Sequence, residues 1–309
     1  MRAMLDDPGP FHEGELALQR ATGQRGAGAG NGRIIVDHVI PPAVGFIARQ
    51  ELAIVATVDG EGRPWCSALV GRPGSFTVPD LTRVVLERAV ARSDDPLGGN
   101  LHADPRVGLL FIEVGSRRRY RVNGRVEDPD ADPLVVEVGE AFPNCPKYIT
   151  RRLMVVEPTD PGAPPVETGT ALSEAERRII TGADMAFVAS ANPAGNLDAS
   201  HRGGRPGFVD VRDDVLWIPD YPGNGMFNTL GNLAVHPAAG LLFVDFAAAQ
   251  TLQLTGTTAI DLDAHGGEDT PDGTGGTHRA WTFTPTRWRR APLPARLRAE
   301  LLDLSPFNP

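Results

Sequence analysis

The chain repeats one stretch of its own sequence, and this repeat constrains the fold more than any other feature. The segment LAIVATVDGEGRPWCSALVGRPG at 52–74 aligns with MAFVASANPAGNLDASHRGGRPG at 185–207, at a constant offset of 133 residues. Further along, GNLHADPRVGLLF at 99–111 aligns with GNLAVHPAAGLLF at 231–243, at an offset of 132. Two ordered matches whose offsets differ by a single residue indicate two copies of one domain.

Each copy has the pattern of short β-strands. The runs AIVATV and AFVASA are apolar, rich in β-formers and followed by turn residues. The segment at 209–219 predicts a hairpin that turns at two aspartates, and GLLFVDF at 240–246 predicts a buried strand. A short polar helix is expected between these two, at MFNTLGNLAVHP. Many short antiparallel strands with a few small helices predict a mainly β fold, made of two tandem β-barrels.

The repeat and the composition around it predict the domain boundaries. They are an N-terminal extension at 1–42, a first barrel at 43–152, a Pro-rich linker at 153–171, a second barrel at 172–287 and a C-terminal tail at 288–309. A helix is expected to open the second barrel, with Ser173 as N-cap and Glu176 completing a capping box. The Gly/Asp-rich loop at 265–278 lacks the spacing of calcium ligands, so a flexible hairpin tip is expected there.

Composition argues against several classes of protein. The chain has 30 Lys and Arg against 39 Asp and Glu, a formal net charge of −9, whereas a nucleic-acid surface needs a basic field. We expect no membrane span and no signal peptide, because no segment is apolar for long enough. The two cysteines, Cys66 and Cys145, are expected to be free thiols in a reduced, cytoplasmic protein. The histidines form no metal-ligand motif, so no metal site is expected.

The second copy carries positive charge at a position where the first copy is apolar. Arg202 stands at the position of Leu69, and His201 stands at the position of Ala68. Downstream, the turn GNG at 223–225 leads into the predicted helix, whose first turn leaves backbone N–H groups unpaired. A guanidinium group beside a helix N-terminus is an arrangement that binds phosphate. The pattern therefore predicts an anion site in the second copy.

The same stretch has two other interpretations. Arg205 has a counterpart in Arg72 of the first copy, so a solvated turn residue explains it equally well. Ser200 and His201 could suggest a hydrolase dyad, but adjacent strand residues point to opposite faces. No Gly-x-Ser-x-Gly elbow is present either. Hydrolase chemistry is therefore disfavoured.

The stretch SHRGGRPGFVDVRDDVLWIPDYPGNGMFNTLGNLAVHPAAGLLFVDF at 200–246 resembles the pyridoxamine 5′-phosphate oxidase-like family of FMN-binding split barrels. The resemblance recurs in weaker form in GNLHADPRVGLLFIEVGSRRRYRVNGRV and AFPNCPKYITRR of the first copy. It implies a six-stranded split barrel that pairs as a homodimer with FMN in the interface. Because both barrels lie in one chain here, we expect an intrachain pseudo-dimer, present as a monomer or as a homodimer.

The resemblance also implies which residues hold the cofactor. The FMN phosphate would be held by Ser200, Arg202, Asn224, Asn228 and Thr229. The segment CPKYI of the other barrel would close over the flavin through Cys145, Lys147 and Tyr148. Further residues expected at the same site are His201, Gly203, Asp220, Met226 and Asn232. Many relatives have Arg where this chain has Met226, and the first copy has Leu69 in place of Arg. One complete FMN site per chain is therefore expected.

These implications predict a function. The chain is expected to be an FMN-dependent oxidoreductase that acts on a small organic molecule, with the flavin performing the electron chemistry. The alternatives are a barrel that binds haem or the deazaflavin F420, and a flavin-binding protein without catalysis. The catalytic residues stay unassigned; His201, Tyr221 and Lys147 are candidate proton donors by their place in the motif. The segments FHEGELALQRATG and SPFNP resemble split-barrel proteins that continue into a ferredoxin-reductase module, so a separate reductase partner is expected.

Overall fold

The first half of the chain forms a seven-stranded antiparallel sheet in the computed structural model, which describes residues 8–157, 165–192, 195–264 and 273–309. Its strands are β1 Leu52–Val58, β2 Pro64–Val70, β3 Phe76–Asp80, β4 Arg83–Leu86, β5 Arg106–Glu113, β6 Arg118–Val126 and β7 Leu134–Asn144. They lie in the spatial order β2-β1-β5-β6-β7-β4-β3. The sheet thus has seven strands where the resemblance implied six.

The second half forms a sheet with the same topology. The strands that follow in the chain are β8 Arg151–Glu157, β9 Glu167–Gly169, β10 Met185–Ala191, β11 Leu197–Gly203, β12 Asp210–Arg212, β13 Val215–Pro219, β14 Ala238–Asp245, β15 Gln250–Asp261, β16 Ala280–Pro292 and β17 Arg296–Asp303. Seven of them lie in the order β11-β10-β14-β15-β16-β13-β12, and β9 pairs with β16 outside this order. Strand for strand, this is the order of the first sheet. The predicted fold of two tandem barrels is confirmed.

The helices are short and lie between or before the strands. They are α1 Glu13–Ala21, α2 Arg25–Asn31, α3 Pro41–Ala48, α4 Pro96–Ala103, α5 Glu174–Gly182 and α6 Asn228–Val235, with single 3-10 turns at Gly32–Ile34, Arg88–Val90 and Val114–Ser116. The predicted capping box of α5 is confirmed: the Ser173 hydroxyl accepts from the N–H of Ala175 at 3.2 Å, and the Glu176 carboxylate accepts from the N–H of Ser173 at 3.0 Å. Within the described ranges, no helix is long and apolar enough to cross a membrane.

Each barrel encloses an apolar core, and a further apolar cluster joins the two barrels. The first core includes Phe76 and Phe111, whose rings meet edge-on with centroids 5.5 Å apart. The second core surrounds Trp281. Between the barrels, Ile54 of β1 and Phe187 of β10 belong to one shared cluster. Strands β1 and β10 are buried along their whole length because both of their faces are covered, which explains their continuous apolar runs.

Two equivalent glycines show that the barrels meet around a pseudo-two-fold axis. A Cβ atom on Gly108 of β5 would lie 2.6 Å from the carbonyl oxygen of Leu197 in the second barrel. Conversely, a Cβ atom on Gly240 of β14 would lie 2.7 Å from the carbonyl oxygen of Pro64 in the first barrel. Gly108 and Gly240 are themselves repeat partners at the offset of 132. Reciprocal contacts of this kind are what a two-fold relation between two similar surfaces produces.

The Gly240→Ala variant is expected to lose about 1–3 kcal/mol of unfolding free energy, because the added methyl group forces two backbones apart. Urea denaturation followed by circular dichroism measures this loss. The matched control is Gly98→Ala in α4, where an added Cβ meets nothing within 4 Å and stability should stay the same or rise by up to about 1 kcal/mol. Equal midpoints for the two variants would contradict the close backbone contact at Gly240.

The segments predicted as linker and tail carry strands. β8 extends to Glu157 inside the predicted linker, β16 extends to Pro292, and the predicted tail contains β17. β17 pairs with β8 as a separate two-stranded sheet, so each barrel is followed by a strand and these two strands pair with each other. Pairing between distant segments leaves no signal in the repeat, which is why the sequence did not show it. Most of the loop predicted at 265–278 and the middle of the predicted linker lie outside the described residues.

Candidate functional site

A cleft lies where the second barrel meets the end of the first barrel. One wall comes from β11 and from the segment between β13 and α6, and the other comes from β6 and the loop after β7. Gln24, from the N-terminal segment, also lines it. Residues of both barrels line the cleft within one chain.

Eleven of the thirteen residues predicted for the cofactor site line this cleft. They are Ser200, His201, Arg202, Gly203, Asp220, Asn224, Asn228 and Thr229 from the second barrel, and Cys145, Lys147 and Tyr148 from the first. The structure therefore brings the SHRGG stretch and the CPKYI segment together, as the resemblance implied. Their role in holding a cofactor stays a prediction.

The other two predicted residues, Met226 and Asn232, do not line the cleft. Met226 is fully buried and packs with Phe11 and Phe142. Asn232 lies on α6 two residues beyond Leu230, the last residue of this helix that lines the cleft. Its side-chain amide donates to the Asp198 carboxylate at 3.1 Å, in a polar layer beneath the cleft.

Two functional candidates that the sequence reasoning missed are Arg119 and Arg121 on β6. Residues two apart on a strand share a face, so both point to the cleft, whereas Tyr120 between them belongs to the core of the first barrel. Their repeat partners in the second copy, at the offset of 132, are Thr251 and Gln253. The comparison that singled out Arg202 would therefore also have found these two arginines, since each of the three has an uncharged residue at the equivalent position of the other copy.

Two of the arginines at the cleft are paired with carboxylates. Arg121 donates from Nη1 to the Asp198 carboxylate at 2.9 Å, and both side chains are buried. Arg279, which the sequence reasoning also missed, donates from Nε to the Asp220 carboxylate at 2.9 Å. Each of these pairs has no net charge of its own.

The other two arginines leave the cleft positively charged. Arg202 lies 4.0 Å from the Asp220 carboxylate, which is already engaged by Arg279. Arg119 donates to the carbonyl oxygen of Cys145, and within the described part of the chain it forms no ion pair. Two guanidinium groups therefore face the cleft with little compensation, an arrangement that favours a bound anion.

Several buried nitrogen atoms around the cleft have no hydrogen-bond partner among the described residues. They are Nε of Arg119, Arg121 and Arg202, and Nε2 of His201. An unpaired buried donor costs free energy, and native proteins keep few of them without a functional reason. A ligand with acceptor oxygens, such as a phosphate group, fits these donors.

A comparison with family models identifies the first barrel. Residues 41–159 match the model of the family described as pyridoxamine 5′-phosphate oxidase. The match covers the first barrel, less than half of the chain, and it shows a similarity to this family. The second barrel repeats its strand order and its sequence pattern, which confirms the predicted resemblance to the pyridoxamine 5′-phosphate oxidase family in tandem form. The matched barrel is the copy that lacks the counterpart of Arg202.

Solved structures with similar folds carry different descriptions. A putative pyridoxamine 5′-phosphate oxidase from Lactobacillus delbrueckii is 20% identical over 35% of this chain and 95% of that chain, with a TM-score of 0.28. An FAD-binding protein from Mesorhizobium loti is 14% identical over 41% and 98%, with a TM-score of 0.28. HutZ, described as a haem storage protein from Vibrio cholerae, is 10% identical over 37% and 90%, with a TM-score of 0.26. No curated protein matches the sequence.

The electrostatics of this pyridoxamine 5′-phosphate oxidase-like cleft follow from burial and from the crowding of like charges. Burial, reinforced by Arg121 and Arg202, lowers the pKa of Arg119 to about 9. Burial also lowers the pKa of Arg202, with Asp220 opposing the shift. Burial next to Arg119 and Arg202 holds the pKa of His201 well below its ordinary value. At neutral pH the arginines are charged and His201 is neutral, so His201 does not serve as an imidazolium proton donor.

Tyr148 ties the loop of the first barrel to the second barrel across the cleft. Its hydroxyl donates to the carbonyl oxygen of Pro222 at 2.9 Å, and its ring lies 5.1 Å from the ring of Tyr221. Burial raises the pKa of Tyr148 to about 12 and raises the pKa of Tyr221 as well, so both keep their protons at neutral pH. The backbone N–H of Tyr148 donates to Ser305 at 3.1 Å, which anchors the C-terminal segment beside the cleft. Cys145 in this loop is a free thiol, as predicted.

Proposed function

We propose that the cleft binds the phosphate group of FMN and that the protein is an FMN-dependent oxidoreductase acting on a small organic molecule. The observation that carries this proposal is the meeting of Arg119, Arg121 and Arg202 from both barrels in one cleft, where the buried Nε atom of each has no partner among the described residues. The family of the first barrel supports the same cofactor class. The coarser conclusion, a split-barrel protein with an anion-binding cleft, does not depend on which cofactor is bound.

Each residue of the cleft has a distinct part in the proposed activity. Arg119 and Arg202 would hold the phosphate through charge-assisted hydrogen bonds. Asp198 fixes the orientation of Arg121 through their buried ion pair. The Tyr148 loop covers one side and excludes water. FMN, when bound, supplies the electron transfer. Of the candidate proton donors, Tyr221 holds a proton on its hydroxyl at neutral pH, because burial raises its pKa.

The pseudo-symmetric position in the other half of the chain does not repeat the cleft. Leu69 stands there in place of Arg202, and Gln253 stands in place of Arg121. The side-chain amide of Gln253 donates to the hydroxyl of Ser67 at 2.9 Å, and its oxygen accepts from Arg289 at 2.9 Å. Ser67 in turn donates to the Asp95 carboxylate at 2.7 Å, so the polar groups of this place are partners of one another. We therefore expect one FMN per chain.

The visible absorption spectrum of the protein, as purified and after addition of FMN, tests the cofactor. Two flavin bands in the blue region with one FMN per chain are the expected result. A single intense Soret band would replace the proposal with haem binding, and tighter binding of F420 than of FMN would replace it with a deazaflavin protein. Binding of two FMN molecules per chain would contradict the assignment of one site per chain.

Catalysis is tested separately from binding. The chemically reduced flavoprotein is mixed with a panel of small organic acceptors, and reoxidation is followed by absorbance. We expect at least one acceptor to reoxidise the bound flavin faster than it reoxidises free reduced FMN. If every acceptor reoxidises the bound flavin and free reduced FMN at the same rate, the protein binds flavin without catalysing a reaction.

A further inference from the structure

The N-terminal segment lies outside both barrels, yet it contacts the wall of the cleft. The side-chain amide of Asn31 donates to the carbonyl oxygen of Asn224 at 2.6 Å. The Glu15 carboxyl accepts from the side-chain amide of Asn228 at 2.6 Å. α1 and α6 pack so closely that a Cβ atom on Gly231 would lie 2.3 Å from Cγ of Glu15. Asn224 and Asn228 both line the cleft. The N-terminal segment therefore contacts two residues of the cleft wall.

Glu15 sits in this contact without a cation. The residue is 4% exposed, and its second carboxyl oxygen accepts from the backbone N–H of His12 at 3.0 Å. The His12 ring lies 3.6 Å from the same carboxyl group, but burial lowers its pKa and keeps it neutral at and above neutral pH. No lysine or arginine among the described residues forms an ion pair with Glu15.

The charged groups that face Glu15 from the neighbouring strands are mostly acidic. Asp198 on β11 and Glu140 on β7 both act on it, and Arg121 on β6 is already paired with Asp198. Burial, followed by the charge of Asp198 and then of Glu140, raises the pKa of Glu15 to about 8, against the opposing hydrogen bonds from His12 and Asn228. At neutral pH the carboxyl group of Glu15 is therefore protonated.

We propose that Glu15 is a positioning residue of the anion cleft, whose uncharged carboxyl group holds the Asn228 side chain, and with it the first turn of α6, against the bound anion. The inference rests on the proposed anion site and deepens it. Glu15 acts through Asn228, and it gives the cleft a dependence on pH near 8 in addition to that of Arg119, whose pKa burial lowers to about 9.

Deprotonation of Glu15 would release this contact. A carboxylate at this place would face Asp198 and Glu140 without a compensating cation, so it would turn toward water and free Asn228. Anion affinity is therefore expected to fall as the pH rises through the pKa of Glu15. By linkage, anion binding favours the protonated form, so binding near pH 8 takes up protons.

The raised pKa of Glu15 also determines how the stability of the folded protein depends on pH. The pKa of Glu15 is raised from 4.5 to about 8 in the folded state, so the folded protein binds more protons than the unfolded chain between these values. The contribution of Glu15 to stability is full below about pH 4.5, decreases as the pH rises and levels off above about pH 8. This prediction needs no ligand.

The test compares wild type, Glu15→Gln and the control Glu13→Gln, which removes an exposed carboxylate two residues away on the same helix. FMN affinity is measured by quenching of flavin fluorescence between pH 7 and pH 8.5. FMN binding by wild type and by Glu13→Gln should weaken by about fourfold, because the protonated fraction of a group with a pKa of about 8 falls by that factor over this range. The FMN affinity of Glu15→Gln should vary by less than about twofold over the same range. Identical pH profiles for wild type and Glu15→Gln would overturn the proposal.

Two further measurements separate this inference from the proposed function. Calorimetric titration with FMN at pH 8, in two buffers of different ionisation enthalpy, should show proton uptake by wild type and none by Glu15→Gln. Without ligand, the melting temperature of wild type relative to Glu15→Gln should fall between pH 5 and pH 8. A constant difference would overturn the role of Glu15 whether or not FMN binds. If neither wild type nor any variant binds FMN, the FMN site is refuted. If the melting temperatures still change with pH as expected, the titration of Glu15 stands independently of that result.

Discussion

The Asp198→Ala variant is expected to lose about 3–5 kcal/mol of unfolding free energy, the usual cost of removing one partner of a buried ion pair. Asp198 accepts hydrogen bonds from Arg121 at 2.9 Å, from Asn123 at 2.9 Å and from Asn232 at 3.1 Å. Removing its carboxylate leaves the buried guanidinium group of Arg121 without its counter-charge and takes one acceptor from each of the two amides. Urea denaturation of the protein without ligand measures the loss.

A matched control separates burial from charge removal. Asp210 pairs with Arg212 at 2.6 Å, but both side chains are largely exposed, so Asp210→Ala should cost less than about 1 kcal/mol. The double variant Asp198→Leu/Arg121→Met removes both buried charges and should be more stable than Asp198→Ala. A double variant that is less stable than the single variant would show that the ion pair itself, and not the stranded arginine, carries the effect.

The Arg202→Leu variant is expected to weaken FMN binding by about ten- to a hundredfold, because a charge-assisted contact to phosphate contributes about 1.5–3 kcal/mol. The substitution introduces the residue found at the equivalent position of the first barrel, where Leu69 is buried in the core, so the fold should accept it. Removing a poorly compensated, partly buried charge should leave the melting temperature of the ligand-free protein unchanged or slightly higher. Fluorescence titrations with FMN and with riboflavin measure the two affinities.

Riboflavin and Arg205 provide the controls for this prediction. Riboflavin lacks the phosphate group, so wild type and Arg202→Leu should bind it almost equally. Arg205→Leu removes an exposed guanidinium group three residues away, which contacts only the carbonyl oxygen of Pro309, at 3.4 Å, among the described residues, and it should bind FMN like wild type. Equal weakening of riboflavin and FMN by Arg202→Leu would make the arginine structural. No effect on either ligand would place the anion site elsewhere.

The two-barrel fold was predictable because its signals are local in the sequence. The repeat, the apolar runs of the buried strands and the capping box at Ser173 each depend on residues close together in the chain. The same holds for the hairpin between β12 and β13, where Asp213 and Asp214 adopt the positive φ values of a tight turn. Local conformational preferences and the final structure agree at these places, so no long-range information was needed.

The charge pattern of the sequence indicated one side of the cleft, and the family resemblance added the CPKYI segment of the other side. Arg202 stood out because its repeat partner is Leu69, and the motif around it lies on one continuous stretch of chain. Arg119 and Arg121 carry the same signal, since Thr251 and Gln253 replace them in the other copy. Their charge asymmetry is visible in the sequence, but which barrel they face is not. That depends on how β6 packs against β11, which only the assembled pair of barrels determines.

The sequence by itself determined that the chain forms two copies of one β-barrel, and it predicted an anion-binding motif in one of them. Only the tertiary structure decided that Met226 turns away from the cleft, that β8 pairs with β17, and that Glu15 supports Asn228 from outside both barrels. These features join segments that are far apart in the chain. The raised pKa of Glu15 depends in addition on burial beside Asp198 and Glu140. Desolvation and long-range packing have no periodic pattern in the sequence, because they arise only when the chain has folded.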